Sequence, residues 1–507
     1  MRWWFLGLVL AAAPALRAQV PAPVAAPTPA SLDALFDGRA ALPAANFSPR
    51  GAEKARDPGL EAWLERERGI ALARMRANIS PAGTTPGAVA ASPSKAEPDY
   101  WFHWRRDAAL TMQEVVRLYS TTTDADEKAG YGKMLADYAA FVKKTQAAPS
   151  RSGLGEPKYE MDGRAYDGPW GRPQDDGPAE EASTLLQLAA QYLKEGREDL
   201  ARALYGDFAS GIKGDLEYVS HHWEQTSFDV WEEVKAHHFD TAMAQRLALL
   251  EGAWLARKLG DPLAADWYER QARGLESRLA RHWDPARGYL VSALDRDGGL
   301  DYKDSGLDAA VILGAIHRRP LDEQVLGGAE RVFLSPSDPR VLATARRLRQ
   351  SFAAGYAVNR DGTPGTAIGR YPEDRYFGGN PWVLLTCAFA QLDLMAAREF
   401  MQNRAIPVHE ADRNFFADLL EDADRAGLRA GMTLTPENPL FAKVILGLMK
   451  ESDGYFARVR RHANGDGSLS EQMDRDSGVM TSARDLTWNY ASVLSALEAR
   501  DALRQGR

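Results

Sequence analysis

The chain has 507 residues, of which 45% are hydrophobic and 26% are charged, and this balance excludes a mainly disordered protein. Its 62 basic and 70 acidic residues give a net charge of −8, so we expect no general electrostatic attraction to nucleic acids or anionic lipids. Cys387 is the only cysteine, which excludes an intrachain disulfide bond and cysteine-based zinc or iron–sulfur sites.

Residues 1–18 have the pattern of a secretory signal peptide. Arg2 gives a basic start, an apolar stretch runs over residues 3–16, and the segment ends in the small residue Ala18. Because the apolar stretch is short and contains Pro14, it is not expected to span a bilayer. We therefore predict an exported protein, periplasmic or extracellular, that does not contact a membrane once the signal is removed.

After a Pro/Ala-rich spacer and N-terminal extension at 19–57, the dominant pattern is helical. Met243, Leu247 and Leu250, for example, lie on one face of a helix. Amphipathic segments of this kind are found at about residues 60–77, 107–121, 126–146, 180–195, 197–213, 243–254, 262–283, 305–317, 340–355, 382–402, 409–425, 438–452 and 486–497. No repeat of solenoid length is visible, so we predict one catalytic domain over residues 58–507.

Long loops rich in Gly, Pro and Asp separate these helices, and loops of such length usually carry function. They cover residues 147–178, 284–304, 356–380 and 453–481. Strand-like alternation is weak and short. The pattern favours a globular array of helices whose chemistry lies in loops at one end.

Five segments of the chain combine tryptophan or tyrosine with arginine and carboxylates. They lie at residues 100–107, 155–177, 228–233, 369–382 and 467–488. Aromatic rings cover the apolar faces of sugars, while arginine and carboxylate groups bind sugar hydroxyls. Cleavage of a glycosidic bond needs two carboxyl groups, one protonated and one ionised. Each such residue alone is more often structural, but five clusters in one chain indicate a carbohydrate site.

These segments resemble glucoamylases of glycoside hydrolase family 15. The resemblance rests on PDYWFHWRRDAAL, GEPKYEMDGRAYDGPWGRPQDDGPA, FDVWEEV, GRYPEDRYFGGNPW and GSLSEQMDRDSGVMTSARDLTWNYASVLSA, which occur in the family's order. It covers about residues 60–505 and implies an all-α fold, the (α/α)6 barrel, in which two concentric rings of helices carry a pocket formed by loops at one end.

The resemblance also implies roles for individual residues. The first Glu of the WEE motif, Glu232, would be the general acid, and the Glu of the SEQ motif, Glu471, would be the general base. Asp229 would be a supporting carboxylate. The substrate would be bound by Tyr100, Trp104, Arg106, Asp107, Tyr166, Trp170, Arg172, Trp231, Glu233, Arg370, Trp382 and Trp488.

The activity implied is that of an exo-acting, inverting hydrolase that releases β-glucose from the non-reducing ends of α-1,4-glucans and maltooligosaccharides. Relatives with the same barrel act on α-1,6-glucans or trehalose, so these linkages stay open as alternatives, as does a non-catalytic glycan-binding barrel. No cofactor is expected. The chain ends soon after its last predicted helix, so we expect no separate starch-binding domain, and we expect a monomer.

Two histidine pairs, at 221–222 and 237–238, lack the spacing of a zinc-binding helix, and adjacent side chains point to different sides. We therefore predict no metal site. His103 and Arg105 stand where the resemblance leads us to expect smaller polar residues, which marks a departure next to the predicted pocket.

Overall fold

In the computed structural model, residues 57–317 and 333–505 are described, and their longer helices alternate along the chain between an outer and an inner ring. The predicted signal peptide and residues 19–56 lie outside the described residues, so this division of the chain remains a prediction. Among the described helices, none is both long and apolar enough to cross a bilayer.

The helices of the described residues are named here in chain order. They are α1 (Pro58–Ala77), α2 (Arg105–Thr121), α3 (Ala125–Gln146), α4 (Asp176–Lys194), α5 (Glu198–Tyr205), α6 (Gly211–His222), α7 (Phe239–Leu259), α8 (Pro262–Arg281), α9 (Ala310–Ile316), α10 (Pro339–Gly355), α11 (Val383–Asn403), α12 (Arg413–Asp418), α13 (Asp422–Arg425), α14 (Pro439–His462) and α15 (Thr487–Arg504).

The inner ring is closed. Helix α2 packs against α4, α4 against α7, α7 against α9, α9 against α11, α11 against α15, and α15 returns to α2. Outside it, α1 packs on α15, α3 on α2, α6 on α4, α8 on α7, α10 on α9 and α14 on α11. This arrangement is the (α/α)6 barrel, and the predicted fold class is confirmed.

Short antiparallel strands connect the helices. They are β1 (His103–Trp104), β2 (Lys158–Tyr159), β3 (Ser227–Phe228), β4 (Lys235–His238), β5 (Trp283–Asp284), β6 (Tyr289–Leu290), β7 (Ala293–Leu294), β8 (Ile406–Pro407), β9 (Thr433–Leu434), β10 (Ser470–Met473) and β11 (Met480–Arg484). The pairs are β1–β2, β5–β6, β8–β9 and β10–β11, and β3–β4–β7 forms a three-stranded sheet.

Burial explains which helices form which ring. Outer helix α8 buries Ala265, Tyr268, Ala272 and Leu275 on one stripe and leaves its other face to solvent, as the helical period predicts. Inner helix α11 instead buries every residue over 383–394, because it contacts neighbours on all sides. The core therefore lies between the two rings and within the inner one.

The helix N-termini differ between the rings. Side-chain caps from Asp57, Asp124, Asp261, Asp338 and Asn438 begin outer helices α1, α3, α8, α10 and α14. None of the six inner helices of the described residues has a side-chain cap. Because the first N–H groups of a helix carry partial positive charge, this end of the inner ring favours polar and anionic groups.

Most predicted helices are present, but some boundaries differ. The segment predicted as one helix at 197–213 is two, α5 and α6, because the chain turns at Gly206, whose φ is +72°. The segment predicted at 409–425 is the pair of short helices α12 and α13. Helix α14 continues to His462, and α4 begins at Asp176, both inside segments predicted as loops.

Candidate active site

A cavity of about 300 Å³ lies at the N-terminal ends of the inner helices. Arg106 and Asp107 belong to the first turn of α2, Trp488 belongs to the first turn of α15, and Trp382 directly precedes α11. The loops that lead into the inner helices therefore meet at this end of the barrel. The lining residues are Ala91, Tyr100, Trp104, Arg106, Asp107, Trp170, Gly171, Val230, Trp231, Glu232, Glu233, Arg370, Tyr376, Trp382, Glu471, Leu486 and Trp488.

Glu232 lies in a tight turn between β3 and β4. Its backbone N–H donates to the carbonyl of Asp229 at 2.8 Å, and the N–H of Asp229 donates to the carbonyl of Val234 at 3.0 Å. Asp229 Oδ1 also accepts the N–H groups of Glu233, at 2.6 Å, and of Val234, at 3.0 Å. Glu232 itself has a φ of +67°, which is costly for a non-glycine residue. These hydrogen bonds hold the strained residue in place.

The carboxyl group of Glu232 is held through one oxygen. Oε1 accepts hydrogen bonds from Trp104 Nε1 at 2.8 Å and from Gln174 Nε2 at 3.0 Å. Arg106 Nη2 lies 4.0 Å from the same oxygen. Oε2 accepts no hydrogen bond from the described residues, and the side chain is 19% exposed, on the cavity side. Oε2 can therefore exchange a proton with a molecule bound in the cavity.

Glu471 reaches the cavity from the β10–β11 hairpin. The pairing of the two strands is irregular between Ser470 and Gln472, so Glu471 lies at a bulge, a device that redirects a side chain. Its Oε2 accepts hydrogen bonds from Ser482 Oγ at 2.5 Å and from Gln472 Nε2 at 2.9 Å. Burial raises the pKa of Glu471, and hydrogen bonds from Ser482, Tyr100 and Gln472 oppose that rise.

Asp229 does not line the cavity. Its Oδ2 lies 3.0 Å from Lys303 Nζ, which is also 3.0 Å from Asp308 Oδ2. Burial by itself would raise the pKa of Asp229, but Lys303, His238 and two backbone N–H groups outweigh burial and lower the pKa to about 2. The carboxylate is therefore ionised and shapes the turn that carries Glu232.

Glu233 and Arg370 form a buried ion pair on the cavity wall. Arg370 Nη2 lies 2.9 Å from Glu233 Oε1, and Tyr371 donates its hydroxyl proton to Oε2 at 2.6 Å. Asp374 binds the other side of Arg370, with its Oδ2 2.8 Å from Nε. Burial raises the pKa of Glu233, and Arg370 and Tyr371 oppose the rise. A fully paired group of this kind is rigid and can orient a polar ligand.

Arg106 and Asp107 place a second charged pair in the cavity. Arg106 Nη1 donates to Asp176 Oδ2 and to Gln174 Oε1, both at 3.0 Å. Arg106 Nε lies 3.3 Å from Asp107 Oδ2, yet neither atom forms a hydrogen bond within the described residues. Burial raises the pKa of Asp107 to about 6 against the opposing effect of Arg106. Both side chains line the cavity, and that of Asp107 is 16% exposed, so its carboxyl group can accept a hydrogen bond from a hydroxyl of a ligand.

Aromatic rings form much of the remaining wall. The ring of Trp104 is 5.5 Å from that of Tyr100 and 5.9 Å from that of Trp170, centre to centre. In another part of the cavity lining, the ring centres of Trp231 and Trp382 are 5.6 Å apart. The indole N–H groups of Trp170 and Trp382 have no hydrogen-bond partner within the described residues. Aromatic rings that line a cavity in this way suit the apolar faces of sugar rings.

Tyr166 and Arg172, both predicted to bind substrate, do not line the cavity. Arg172 Nε donates to both carboxylate oxygens of Glu156, at 2.7 and 2.8 Å, and its terminal nitrogens donate to the carbonyls of Tyr166 and Gly168. The ring of Tyr166 packs edge-on against Trp170 at 5.7 Å. In this structure both residues brace the loop that carries Trp170.

Gln174, Tyr376 and Ser482 contribute to the site but were not among the predicted residues. Gln174 and Ser482 hold the two carboxyl groups, and the Tyr376 hydroxyl lies 2.8 Å from that of Tyr100. All three lie within segments that the sequence singles out. Amides and hydroxyls are too common in loops for sequence to select them, since their importance depends on geometry.

Comparison with known proteins places these features in a family. Residues 67–498 match the sequence profile of Glycosyl hydrolases family 15. Glucoamylase 1 of Rhizopus oryzae is 35% identical over 449 residues, which cover 87% of this chain and 71% of that protein. The glucoamylase structure from Hypocrea jecorina has a TM-score of 0.79 at 32% identity and covers 88% of this chain and 73% of its own. The one from Saccharomycopsis fibuligera has a TM-score of 0.77 at 30% identity, over 88% and 96% of the two chains.

Proposed function

The chain belongs to glycosyl hydrolases family 15 and is a glycoside hydrolase, and from this premise we propose that it removes glucose from the non-reducing ends of α-1,4-glucans and maltooligosaccharides. The products are β-glucose and a chain shortened by one unit, because the reaction inverts the anomeric centre. The similarity to glucoamylases supports this activity over hydrolysis of α-1,6-glucans or trehalose. The proposed proton donation and water activation use no metal ion.

Glu232 acts as the general acid. Trp104 and Gln174 bind Oε1, which leaves Oε2 to carry the proton and donate it to the glycosidic oxygen. The strained turn fixes the direction of the carboxyl group, so little reorganisation is needed when the bond breaks.

Glu471 acts as the general base. Ser482 and Gln472 donate to Oε2, which favours the ionised form needed to remove a proton from water. Water then attacks the anomeric carbon on the face opposite to the leaving group. Inverting hydrolases keep their two carboxyl groups about 6.5–9.5 Å apart so that this water fits between them.

The terminal sugar is held by polar side chains that line the cavity. Asp107, whose side chain is 16% exposed, accepts from a sugar hydroxyl. Arg106 and Arg370 contribute charge-assisted hydrogen bonds. The rings of the wall cover the apolar faces of the sugar.

The observation that carries this proposal is that Glu232 and Glu471, from distant parts of the chain, line the same cavity. Neither lies on a surface away from it. The side chain of Glu232 is 19% exposed and accepts hydrogen bonds through Oε1, whereas Glu471 is 1% exposed and accepts them through Oε2. The two carboxyl groups therefore lie in different environments within one cavity.

The test is product analysis by proton NMR with maltotetraose, isomaltose and trehalose. We expect β-glucose to appear first from maltotetraose, with slower turnover of the other two. Glu232→Gln and Glu471→Gln should each lower kcat by about 10² to 10⁴-fold, while Glu410→Gln, at an exposed glutamate, should not. Initial release of α-glucose would refute inversion. Binding of all three sugars without any hydrolysis would instead favour the non-catalytic glycan-binding barrel.

We further propose that residues 1–18 direct export, to the periplasm or outside the cell, and that the protein acts as a monomer. The first point follows from the basic, apolar and small-residue pattern of the segment. Fractionation of expressing cells and N-terminal sequencing of the mature protein test export. Light scattering at several concentrations tests the assembly state.

A further inference from the structure

Lys158 is a buried lysine whose ammonium group is surrounded by aromatic rings. Its Nζ lies 3.7 Å from the ring centre of Trp170, 4.0 Å from Phe102, 4.2 Å from Tyr166 and 4.5 Å from Trp104. The residue is only 3% exposed. Within the described residues its ammonium group has no hydrogen-bond or ion-pair partner, so the four rings are its main environment.

The strand pairing explains how this cage forms. Trp104 in β1 pairs directly with Lys158 in β2, and directly paired residues lie on the same face of a two-stranded ladder. The N–H of Tyr166 donates to the carbonyl of Lys158 at 2.9 Å, which brings the ring of Tyr166 close to the ammonium group as well. Strand β1 leads directly into α2, so the cage is attached to the helix that carries Arg106.

The ammonium group is charged under neutral and acidic conditions despite its burial. Burial lowers the pKa of Lys158 to about 8, because the rings replace water, and Arg172 acts in the same direction. Glu232, Asp99 and Glu160 oppose this effect and favour the charged form. A cation against several ring faces is also stabilised by the quadrupoles of the rings.

Trp104 connects this cation to the proposed general acid. Its ring face contacts Lys158, and its Nε1 donates to Glu232 Oε1 at 2.8 Å. A cation against an indole ring draws electron density from it and makes the N–H a stronger donor to an anion. Arg106 Nη2 also lies 4.0 Å from this carboxyl group, but Arg106 already forms ion pairs with Asp176 and Asp107.

We propose that Lys158 is a positioning residue that, through the indole of Trp104, stabilises the negative charge that Glu232 acquires when it gives up its proton. The inference rests on the proposed role of Glu232 as the acid. In this proposal Trp104 has a second function besides covering the sugar, because it also connects the buried charge of Lys158 to Glu232. Lys158 itself contacts neither the substrate nor the reacting atoms, since it does not line the cavity.

The first test compares Lys158→Met, which keeps the shape of the side chain, with Lys158→Arg, which keeps its charge. We expect Lys158→Met to lower kcat on maltotriose about tenfold, to change KM less, and to move the alkaline limb of the pH profile to higher pH. Lys158→Arg should restore the position of that limb. The control is Lys95→Met, because Lys95 lies over one ring, Trp101, at 4.4 Å and is exposed. An alkaline limb of Lys158→Met that coincides with that of the wild type would overturn the proposal.

A second measurement needs no turnover. Tryptophan fluorescence of the wild type, followed from pH 6 to 10, should show a step near pH 8 as the cation against Trp104 and Trp170 loses its charge. The step should be absent in Lys158→Met and present in Lys95→Met. A wild type without the step would overturn the inference. A wild type that shows the step but releases no glucose would instead refute the proposed function.

Discussion

Ser482 Oγ donates a 2.5 Å hydrogen bond to Glu471 Oε2 across the β10–β11 hairpin. Ser482 has a φ of +63°, so its backbone is held in a conformation that a serine rarely adopts. Burial raises the pKa of Glu471, and this hydrogen bond is the first of the contacts that oppose the rise. A strained serine thus helps to keep a buried carboxyl group ionised.

Replacing this serine should change the acidic side of the pH profile. In Ser482→Ala, the pKa of Glu471 should rise further, because burial remains and its main hydrogen-bond donor is lost. A base works in its ionised form, so the acidic limb of kcat/KM should move to higher pH, by about one unit. The control is Ser477→Ala on the same hairpin, since Ser477 contacts Asp474. An unchanged acidic limb in Ser482→Ala would argue against Glu471 as the base.

Asp107 should bind substrate in a pH-dependent way. Burial raises the pKa of Asp107 to about 6, so its carboxylate accepts from a sugar hydroxyl above that pH and becomes neutral below it. Asp107→Asn resembles the neutral form permanently. We expect kcat/KM of this variant to fall about 100-fold at pH 7 and by a smaller factor at pH 5. Equal losses at both pH values would show that the charge of Asp107 does not contribute.

Arg105 should be essential for stability. Fully buried, it donates from Nε to Glu181 Oε2 at 2.7 Å and from Nη2 to Asp215 Oδ1 at 2.9 Å. Arg105→Met leaves both carboxylates without a cation, and the free energy of unfolding in urea should fall by about 3–5 kcal/mol. Adding Glu181→Gln and Asp215→Asn should recover most of the loss. A single-variant loss below about 1 kcal/mol would refute this account.

Glu67 should make the protein less stable as the pH rises. It is 1% exposed, neither carboxyl oxygen has a hydrogen bond within the described residues, and burial raises its pKa to about 8. Above the unfolded pKa of about 4.5, the unfolded chain is ionised while the folded one stays protonated, so stability falls from there to about pH 8. Glu67→Gln should remove this dependence and raise stability at pH 7 by roughly 1–3 kcal/mol in urea unfolding. Glu65→Gln, exposed on the same helix, is the control.

One helix boundary differs from the prediction because a polar residue is buried. Asp176 begins α4 inside a segment predicted as a loop, because Arg106 pairs with its carboxylate and allows it to be buried. A pattern of apolar positions cannot show such pairing, since it depends on residues distant in sequence. Helix α14 continues to His462, beyond its predicted end at 452, and its added turns bury Tyr455, Phe456 and Val459.

For the candidate site, too, the sequence predicts only part of what the structure shows. The motifs single out Glu232 and Glu471 as candidate catalytic residues, but they do not show which carboxyl oxygen of each residue accepts hydrogen bonds or which side chains donate them. Among the predicted aromatic and charged residues, most line the cavity, while Tyr166, Arg172 and Asp229 do not. The sequence motifs do not distinguish residues that line the cavity from residues that do not, because spacing along the chain does not determine the direction of a side chain.

By itself, the sequence determined the helical period, the aromatic and acidic loops, and the family whose motifs they form, since each of these is set by residues close together in the chain. Only the tertiary structure decided the closed inner ring, the bulge that turns Glu471 inward, and the cage around Lys158. Burial and charge pairing depend on neighbours that folding brings together, and they set the pKa values and the free hydrogen-bonding atoms on which the chemistry depends.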